Sequence, residues 1–251
     1  MLSSDQIRQY ERDGYLLLPG LVDPQFLASL NQRFLDIVAG RKPVAGAMKI
    51  MQDVMVVKGA VQPPTPLHGV NKLFCLEDDQ VLSAFASLPE VVSCVRSIIG
   101  DDIFSLTSNV FNKPPGVDGK HPLHQDLRYF SMRPASDIVA VWTAILPTNR
   151  ENGCLAVIPG SHNAGVLTHA TPDWDYVNSG FFGIDDVDRD KRQHVAMNPG
   201  DTLLFHPLLV HGSGRNRSND FRRAISVHYA SANCQSPKGD WRAKPQVRAI
   251  V

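Results

Sequence analysis

The residues best suited to chemistry are His124 and Asp126, which bracket Gln125, and His211, 85 positions beyond Asp126. Two imidazoles and one carboxylate can occupy one face of an octahedral metal and leave the opposite face open, as in non-haem Fe(II) oxygenases. The short spacing has a geometric reason. In extended backbone, residues i and i+2 point the same way, so His124 and Asp126 can share an ion while Gln125 points elsewhere. The third ligand must come from a distant strand. His211 closes the apolar stretch Leu203-Leu204-Phe205 and Leu208-Leu209-Val210 and is the best candidate. An isolated His-X-Asp triplet equally describes a surface turn with a hydrogen-bonded histidine, but the surroundings here argue for a site. Pro114-Pro115-Gly116 marks a loop ahead of the triplet. Gly212-Ser213-Gly214 allows backbone and ligand to approach closely after His211.

Phe221 to Tyr229 alternates with the period of a strand. Phe221, Arg223, Ile225, Val227 and Tyr229 share one face; Arg222, Ala224, Ser226 and His228 share the other. A guanidinium on the small, polar face suits the lining of an anion pocket, because its planar fork can grip a carboxylate through two parallel hydrogen bonds. The same alternation suits a surface arginine on an edge strand, and the pattern alone does not separate the two.

The elements that must position these residues fall into two kinds. Ser3 with Gln6 reads as a capping box before a short helix from Ile7 to Arg12 that ends near Gly14. Tyr15 to Leu18 reads as a buried strand, Asp23-Pro24 opens a helix running to about Ala39, and Glu90 to Ile99 forms another. From Ile103 onward short strands and turns take over: Ile103–Phe111, Asp137–Leu146, Leu155–Ile158, His194–Met197, Thr202–Phe205 and Arg222–Ala230. Helices followed by a run of strands predict an α+β fold, with N-terminal helices bracing one sheet of a jelly-roll core. The expected organisation is one domain over 1–251, helical over about 1–100 and jelly roll over about 101–235. Asn163 to Asp190, with Trp174, Tyr176, Phe181 and Phe182, is long for a connection and is read as a lid or substrate wall. Arg41 to Pro66 is expected to cover the site from the other side.

The 25 basic and 25 acidic residues balance, which argues against nucleic acid or an anionic membrane as a partner. Four cysteines stand far apart and fit neither a zinc knuckle nor a disulfide framework; they read as reduced and partly buried in a cytoplasmic setting. Met1-Leu2-Ser3-Ser4 is not read as a secretory signal, and no apolar run reaches membrane-spanning length.

The ordered motifs Asn112-Lys113-Pro114-Pro115, His121-Pro122-Leu123-His124-Gln125-Asp126, Asn152-Gly153-Cys154-Leu155, Pro159-Gly160-Ser161-His162, Phe205-His206-Pro207, His211-Gly212-Ser213-Gly214 and Arg222 resemble the phytanoyl-CoA dioxygenase family. The resemblance covers most of the chain and is densest from Asn112 to Cys234. It implies a double-stranded β-helix core and an Fe(II)- and 2-oxoglutarate-dependent oxygenase that consumes dioxygen, with ascorbate as a supporting reductant. It implies that His124, Asp126 and His211 bind iron and that Arg222 and Ser213 hold the distal carboxylate of 2-oxoglutarate. Trp142, Gln125 and Lys72 resemble further co-substrate contacts. The implied reaction is hydroxylation of a small organic substrate, foremost 2-hydroxylation of an acyl-CoA such as phytanoyl-CoA. The presence of Asp126 favours hydroxylation over halogenation, which in one relative goes with a small residue at the carboxylate position. Rival readings are hydroxylation of an amino-acid derivative or natural product, and a non-oxidative cupin-type metalloenzyme, which would not require Arg222. The family's peroxisomal setting gains no support from the C-terminal Ala249-Ile250-Val251, which is not a Ser-Lys-Leu address. His121, His162, His206 and His228 are read as ordinary hydrogen-bonded histidines rather than as donors that orient ligands.

Overall fold

Local sequence signals set the N-terminal elements. Ser3 and Gln6 close the expected capping box on α1 (Ser4–Asp13), and Gly14 ends the helix in the left-handed region. In the computed structural model, which describes residues 1–117, 121–178 and 180–251, β1 (Tyr15–Leu18) follows directly. Asp23 caps α2 (Pro24–Val38) through the Gln25 N–H at 2.7 Å, with Pro24 in the first turn. Next come β2 (Lys49–Gln52), the one-turn helices α3 (Val54–Val57) and α4 (Pro66–Gly69), and β3 (Val70–Phe74). The short α5 (Gln80–Ser83) and then α6 (Pro89–Ile99) precede the long strand β4 (Ile103–Lys113).

The remaining strands are β5 (His121–His124), β6 (Ile138–Ala144), β7 (Leu155–Val157), β8 (Gln193–Val195), β9 (Thr202–Phe205), β10 (His211–Ser213), β11 (Arg222–Ser231) and β12 (Arg248–Ile250). They form two antiparallel sheets among the described residues. The larger runs β1-β9-β6-β11-β4-β3-β2, with β12 also on β4; the smaller runs β5-β10-β7-β8. The predicted α+β jelly roll is present. The division expected near residue 100 is not a seam, however: β1, β2 and β3 all join the large sheet, and β12 extends it beyond residue 235.

The two faces of β6 and β11 explain the layering. Val139, Val141, Ile225, Val227 and Tyr229 pack with Leu27, Leu30 and Phe34 of α2 and Val91 and Val95 of α6. Ala140, Trp142, Ala144 and Ala224 face inward with Leu155 and Val157 of β7 and Leu203 and Phe205 of β9. β11 is central, between β6 and β4, so the edge-strand reading of its arginines falls. Arg223 is buried against α2. It donates to Asn112 Oδ1 at 2.9 Å and to Asn31, and its guanidinium lies 4.4 Å from the Phe34 ring centroid. Burial lowers its pKa to about 10, which leaves it charged at neutral pH.

No single helix among the described residues is long and apolar enough to cross a membrane. The bent pair Gln80–Ser87 and Pro89–Ile99 passes on length and composition, but Leu82, Phe85, Val91 and Val95 in it are buried in the core.

Phe34 is fully buried at the joint between helix and sheet. Phe34→Ala is expected to lower unfolding free energy by about 3–5 kcal/mol, read from the urea midpoint. A loss below about 1 kcal/mol would show that α2 does not brace the sheet as described.

Candidate metal centre

Strand register brings the histidines together. His211 on β10 is the direct antiparallel partner of His124 on β5, and their ring centroids are 4.3 Å apart. Gly212 makes the close approach possible: a Cβ there would lie 2.9 Å from Pro122 O and 3.0 Å from His121 O. Gln125 stays extended after β5, and Asp126 then opens a 3₁₀ turn to Tyr129. The i, i+2 geometry expected from the sequence therefore turns Asp126 to the side of His124.

His124 Nδ1 lies 2.9 Å from Pro122 O, and His211 Nδ1 lies 3.0 Å from Leu209 O. A carbonyl can only accept, so both Nδ1 atoms carry the proton and both Nε2 atoms present lone pairs. Those lone pairs face Asp126: His124 Nε2 is 3.2 Å from Oδ1 and His211 Nε2 is 3.8 Å from Oδ2. One donor atom from each of the three residues falls within 4.8 Å of the others. Three buried acceptors that face one another are unfavourable unless a cation lies between them. This donor set suits a divalent metal bound by nitrogen and oxygen.

Burial alone would raise the Asp126 pKa, but attraction to the surrounding imidazoles of His211 and His228 and the hydrogen bond from His228 hold it well below the usual carboxylate range. Burial lowers His211 to about 4, against the pull of Asp126. His121 stacks between His124 and Phe181, at 4.2 and 3.9 Å between centroids, and burial keeps it neutral as well.

A cavity of about 440 Å³ opens beside the triad. At one end Arg222 is buried over the Trp142 ring, 5.4 Å from its centroid. Its Nε donates to Gly153 O at 3.2 Å, and its Nη2 lies 3.4 Å from Ser213 Oγ. Gly153 has φ +80°, and a Cβ there would lie 2.7 Å from Gly214 O, so the turn that supplies this carbonyl requires glycine. Burial lowers Arg222 to about 10, so it remains cationic at neutral pH, and no carboxylate pairs with it among the described residues. Lys113, which sequence reasoning passed over as part of a motif, is the register partner of Arg222. Its Nζ donates to Ser213 Oγ at 2.8 Å and to Gly214 O. Two cationic side chains on adjacent strands therefore line this end of the cavity.

Of the other expected co-substrate contacts, Trp142 and Lys72 line the cavity. Burial lowers the Lys72 pKa, opposed by Asp126. Gln125 does not line it. Its amide donates to Gly165 O and Leu208 O, each at 2.8 Å, and accepts the Leu167 N–H at 2.8 Å. The alternation that aims His124 and Asp126 inward aims Gln125 outward, so it ties the 163–190 connection to the chain leading into β10.

In that connection Phe181 and Gly180 wall the cavity, whereas Tyr176 is exposed; Ser179 lies outside the described residues. No described residue from 41 to 66 lines the cavity, contrary to expectation. That segment instead supplies β2, which extends the sheet edge beyond β3. His228, expected to be an ordinary hydrogen-bonded histidine, places Nε2 2.7 Å from Asp126 Oδ2.

Solved structures with this architecture include EctD from S. alaskensis in its apo form and the epimerase SnoN in complex with Fe3+, alpha-ketoglutarate and nogalamycin RO. EctD matches with a TM-score of 0.73 at 19% identity over 94% of this chain and 80% of that one. SnoN matches with a TM-score of 0.70 at 20% identity over 96% and 89%. At these identities the likeness is one of fold. The sequence comparisons go further. The phytanoyl-CoA dioxygenase (PhyH) family model matches residues 10–224. A probable phytanoyl-CoA dioxygenase of Caenorhabditis elegans is 40% identical over 239 residues, 92% of this chain and 76% of that one. The peroxisomal phytanoyl-CoA dioxygenase of Homo sapiens is 38% identical over 93% and 70%. The chain belongs to the phytanoyl-CoA dioxygenase family.

The half-buried His206 and the buried His211 set a pH dependence. His206 shapes the turn that delivers His211, its Nδ1 accepting the Leu208 N–H at 3.1 Å, and burial lowers it to about 4, as for His211. An unfolded imidazole titrates near ~6.5. Between these values the unfolded chain binds more protons, so stability rises with pH across the window and is lost as pH falls through it. Each histidine adds a slope of up to about 1.4 kcal/mol per pH unit. Metal-free protein is therefore expected to show a lower urea midpoint at pH 5 than at pH 7. An unchanged or higher midpoint at pH 5 contradicts this.

Proposed function

We propose that the protein is an Fe(II)- and 2-oxoglutarate-dependent dioxygenase that hydroxylates an organic substrate, in the first instance an acyl-CoA at the carbon beside the thioester. The observation that carries the reading is the convergence of two imidazole lone pairs and an ionised carboxylate beside a buried, carboxylate-free guanidinium. His124, Asp126 and His211 would hold Fe(II). Arg222, Ser213 and Lys113 would hold the distal carboxylate of 2-oxoglutarate, with Trp142 and Lys72 along its flank. When bound, iron and co-substrate with dioxygen supply the oxidant that converts a C–H bond to C–OH, with succinate and carbon dioxide as by-products.

The chain's own contributions are positional. Pro122 O and Leu209 O fix the tautomers and ring planes of the ligand histidines. The Arg222 fork orients a carboxylate through paired hydrogen bonds, which a buried lysine could not reproduce. Leu106, Phe130, Met132, Trp241 and Val247 form an apolar cluster along the same cavity, with Thr107, Lys244 and Gln246 also in the lining. The apolar cluster would orient an alkyl chain, which supports an acyl substrate. The names of the relatives support the same class. A non-oxidative cupin-type reaction leaves Arg222 without a purpose.

All four cysteines are free, which supports a reducing compartment such as the cytoplasm; relatives whose names carry "peroxisomal" make the peroxisome the alternative. Imaging of the tagged full chain separates the two.

The direct test incubates purified protein with Fe(II), ascorbate, 2-oxoglutarate and a panel of acyl-CoAs, free acids and unrelated metabolites, with hydroxylated product and succinate both measured by mass spectrometry. Acyl-CoA 2-hydroxylation is expected. Product from another metabolite and none from acyl-CoAs overturns the substrate. No succinate from any mixture, despite one bound iron per chain, overturns the reaction. In the active mixture Arg222→Ala is expected to raise the 2-oxoglutarate requirement roughly 10- to 100-fold, because a charged hydrogen-bond pair of about 1.5–3 kcal/mol is lost. Arg223→Ala, on the helix-facing side, is expected to lower stability and to raise that requirement much less.

A further inference from the structure

His228 is the one residue on the inner face of β11 that crosses from the large sheet to the metal centre. It lies six residues after Arg222, about 20 Å along the strand, with Ala140 and Thr107 as its register partners. Its Nε2 is 2.7 Å from Asp126 Oδ2, while Asp126 Oδ1 faces His124 Nε2 at 3.2 Å. An ionised carboxylate only accepts, so His228 Nε2–H donates. Phe130 packs against the imidazole at 5.0 Å between centroids. Nδ1 is buried without a partner, so no competing hydrogen bond draws the ring away from Asp126.

A carboxylate has two equivalent oxygens. Free to turn, it can chelate an ion through both and take up a position on the open face. We propose that His228 is a positioning residue for the ligand carboxylate: by engaging Oδ2 it leaves Asp126 one oxygen for the metal and keeps the ion's remaining face clear. This rests on the iron reading of His124, Asp126 and His211. It also makes β11 a single rigid brace for both halves of the site, with Arg222 at the anion end and His228 behind the metal carboxylate.

The experiment compares three variants. His228→Leu removes the donor. His228→Asn has an amide too short to reach Oδ2. His228→Gln carries an N–H to the place of Nε2. Each is titrated with Co(II) in the absence of co-substrate and followed by visible absorption, with thermal unfolding of the metal-free proteins to confirm folding. The Leu and Asn variants are expected to bind Co(II) about 10- to 100-fold more weakly, with an altered spectrum, while Gln stays within about threefold of wild type, the scale usual for partners of metal ligands. In turnover, Leu and Asn should also raise the 2-oxoglutarate requirement more than they lower the maximal rate, although His228 lies at the far end of β11 from the co-substrate's anion site. Co(II) affinity and spectrum unchanged in Leu and Asn overturn the proposal. So does equal impairment of all three variants, since the imidazole's shape rather than its N–H would then matter. Wild-type protein that binds no Co(II) removes the iron reading, and this inference with it.

Discussion

Mutual repulsion among three buried acceptors is the constraint on which the rest of the structure turns. His124 and His211 each spend Nδ1–H on a backbone carbonyl and present Nε2 to an ionised Asp126. In an interior of low dielectric such a cluster persists only if the surrounding structure holds it rigidly and if a cation can relieve it. The rigidity comes from backbone. The β5–β10 register sets the two rings side by side, Gly212 lets the strands close up, and the extended Gln125 fixes the direction of Asp126. At the end of the cavity held by Arg222, Arg222 and Lys113 are likewise placed by backbone register, as partners on adjacent strands.

The large sheet is what makes both ends of the site stiff. Its outer face is packed against α2 and α6, and its inner face carries Trp142, Arg222, Ser226 and His228 toward the cavity. Residues far from the chemistry thereby acquire a bearing on it. Arg223, clamped between Phe34, Asn31 and Asn112, fixes the strand from behind while its neighbour Arg222 faces the site. A strand held on both faces cannot slip by one residue without exchanging those two arginines.

Much of this was legible in the sequence, and the reason is periodicity. The i, i+2 rule read His124 and Asp126 as one unit, and the alternation of Phe221 to Tyr229 sorted Arg222 from Arg223. The apolar run before His211 is buried at Leu209 and Val210 but is a turn and not a strand, and His211 opens β10 instead of closing a strand. What was hidden depends on pairing between distant strands. Lys113 ends β4, and only its register with β11 puts it beside Arg222 and Ser213. His228 reaches Asp126 across the gap between two sheets, a contact that no local spacing encodes. β3, which brings Lys72 to the cavity, alternates too weakly to declare itself and is strand because β2 and β4 flank it. Gln125 shows the opposite case. Family resemblance made it a co-substrate contact, whereas the alternation around it already turned it toward Gly165 and Leu208.

The central claim is that the triad holds one metal ion whose open face accepts 2-oxoglutarate, anchored by Arg222. The measurement that addresses it most directly is an anaerobic titration of the metal-free protein with Fe(II) and then 2-oxoglutarate, followed by visible absorption. The account predicts saturation at one iron per chain and a charge-transfer band that appears only when both are present, as the co-substrate chelates the ion. Iron uptake without saturation at one equivalent, or saturation with no new band on addition of 2-oxoglutarate, would contradict it.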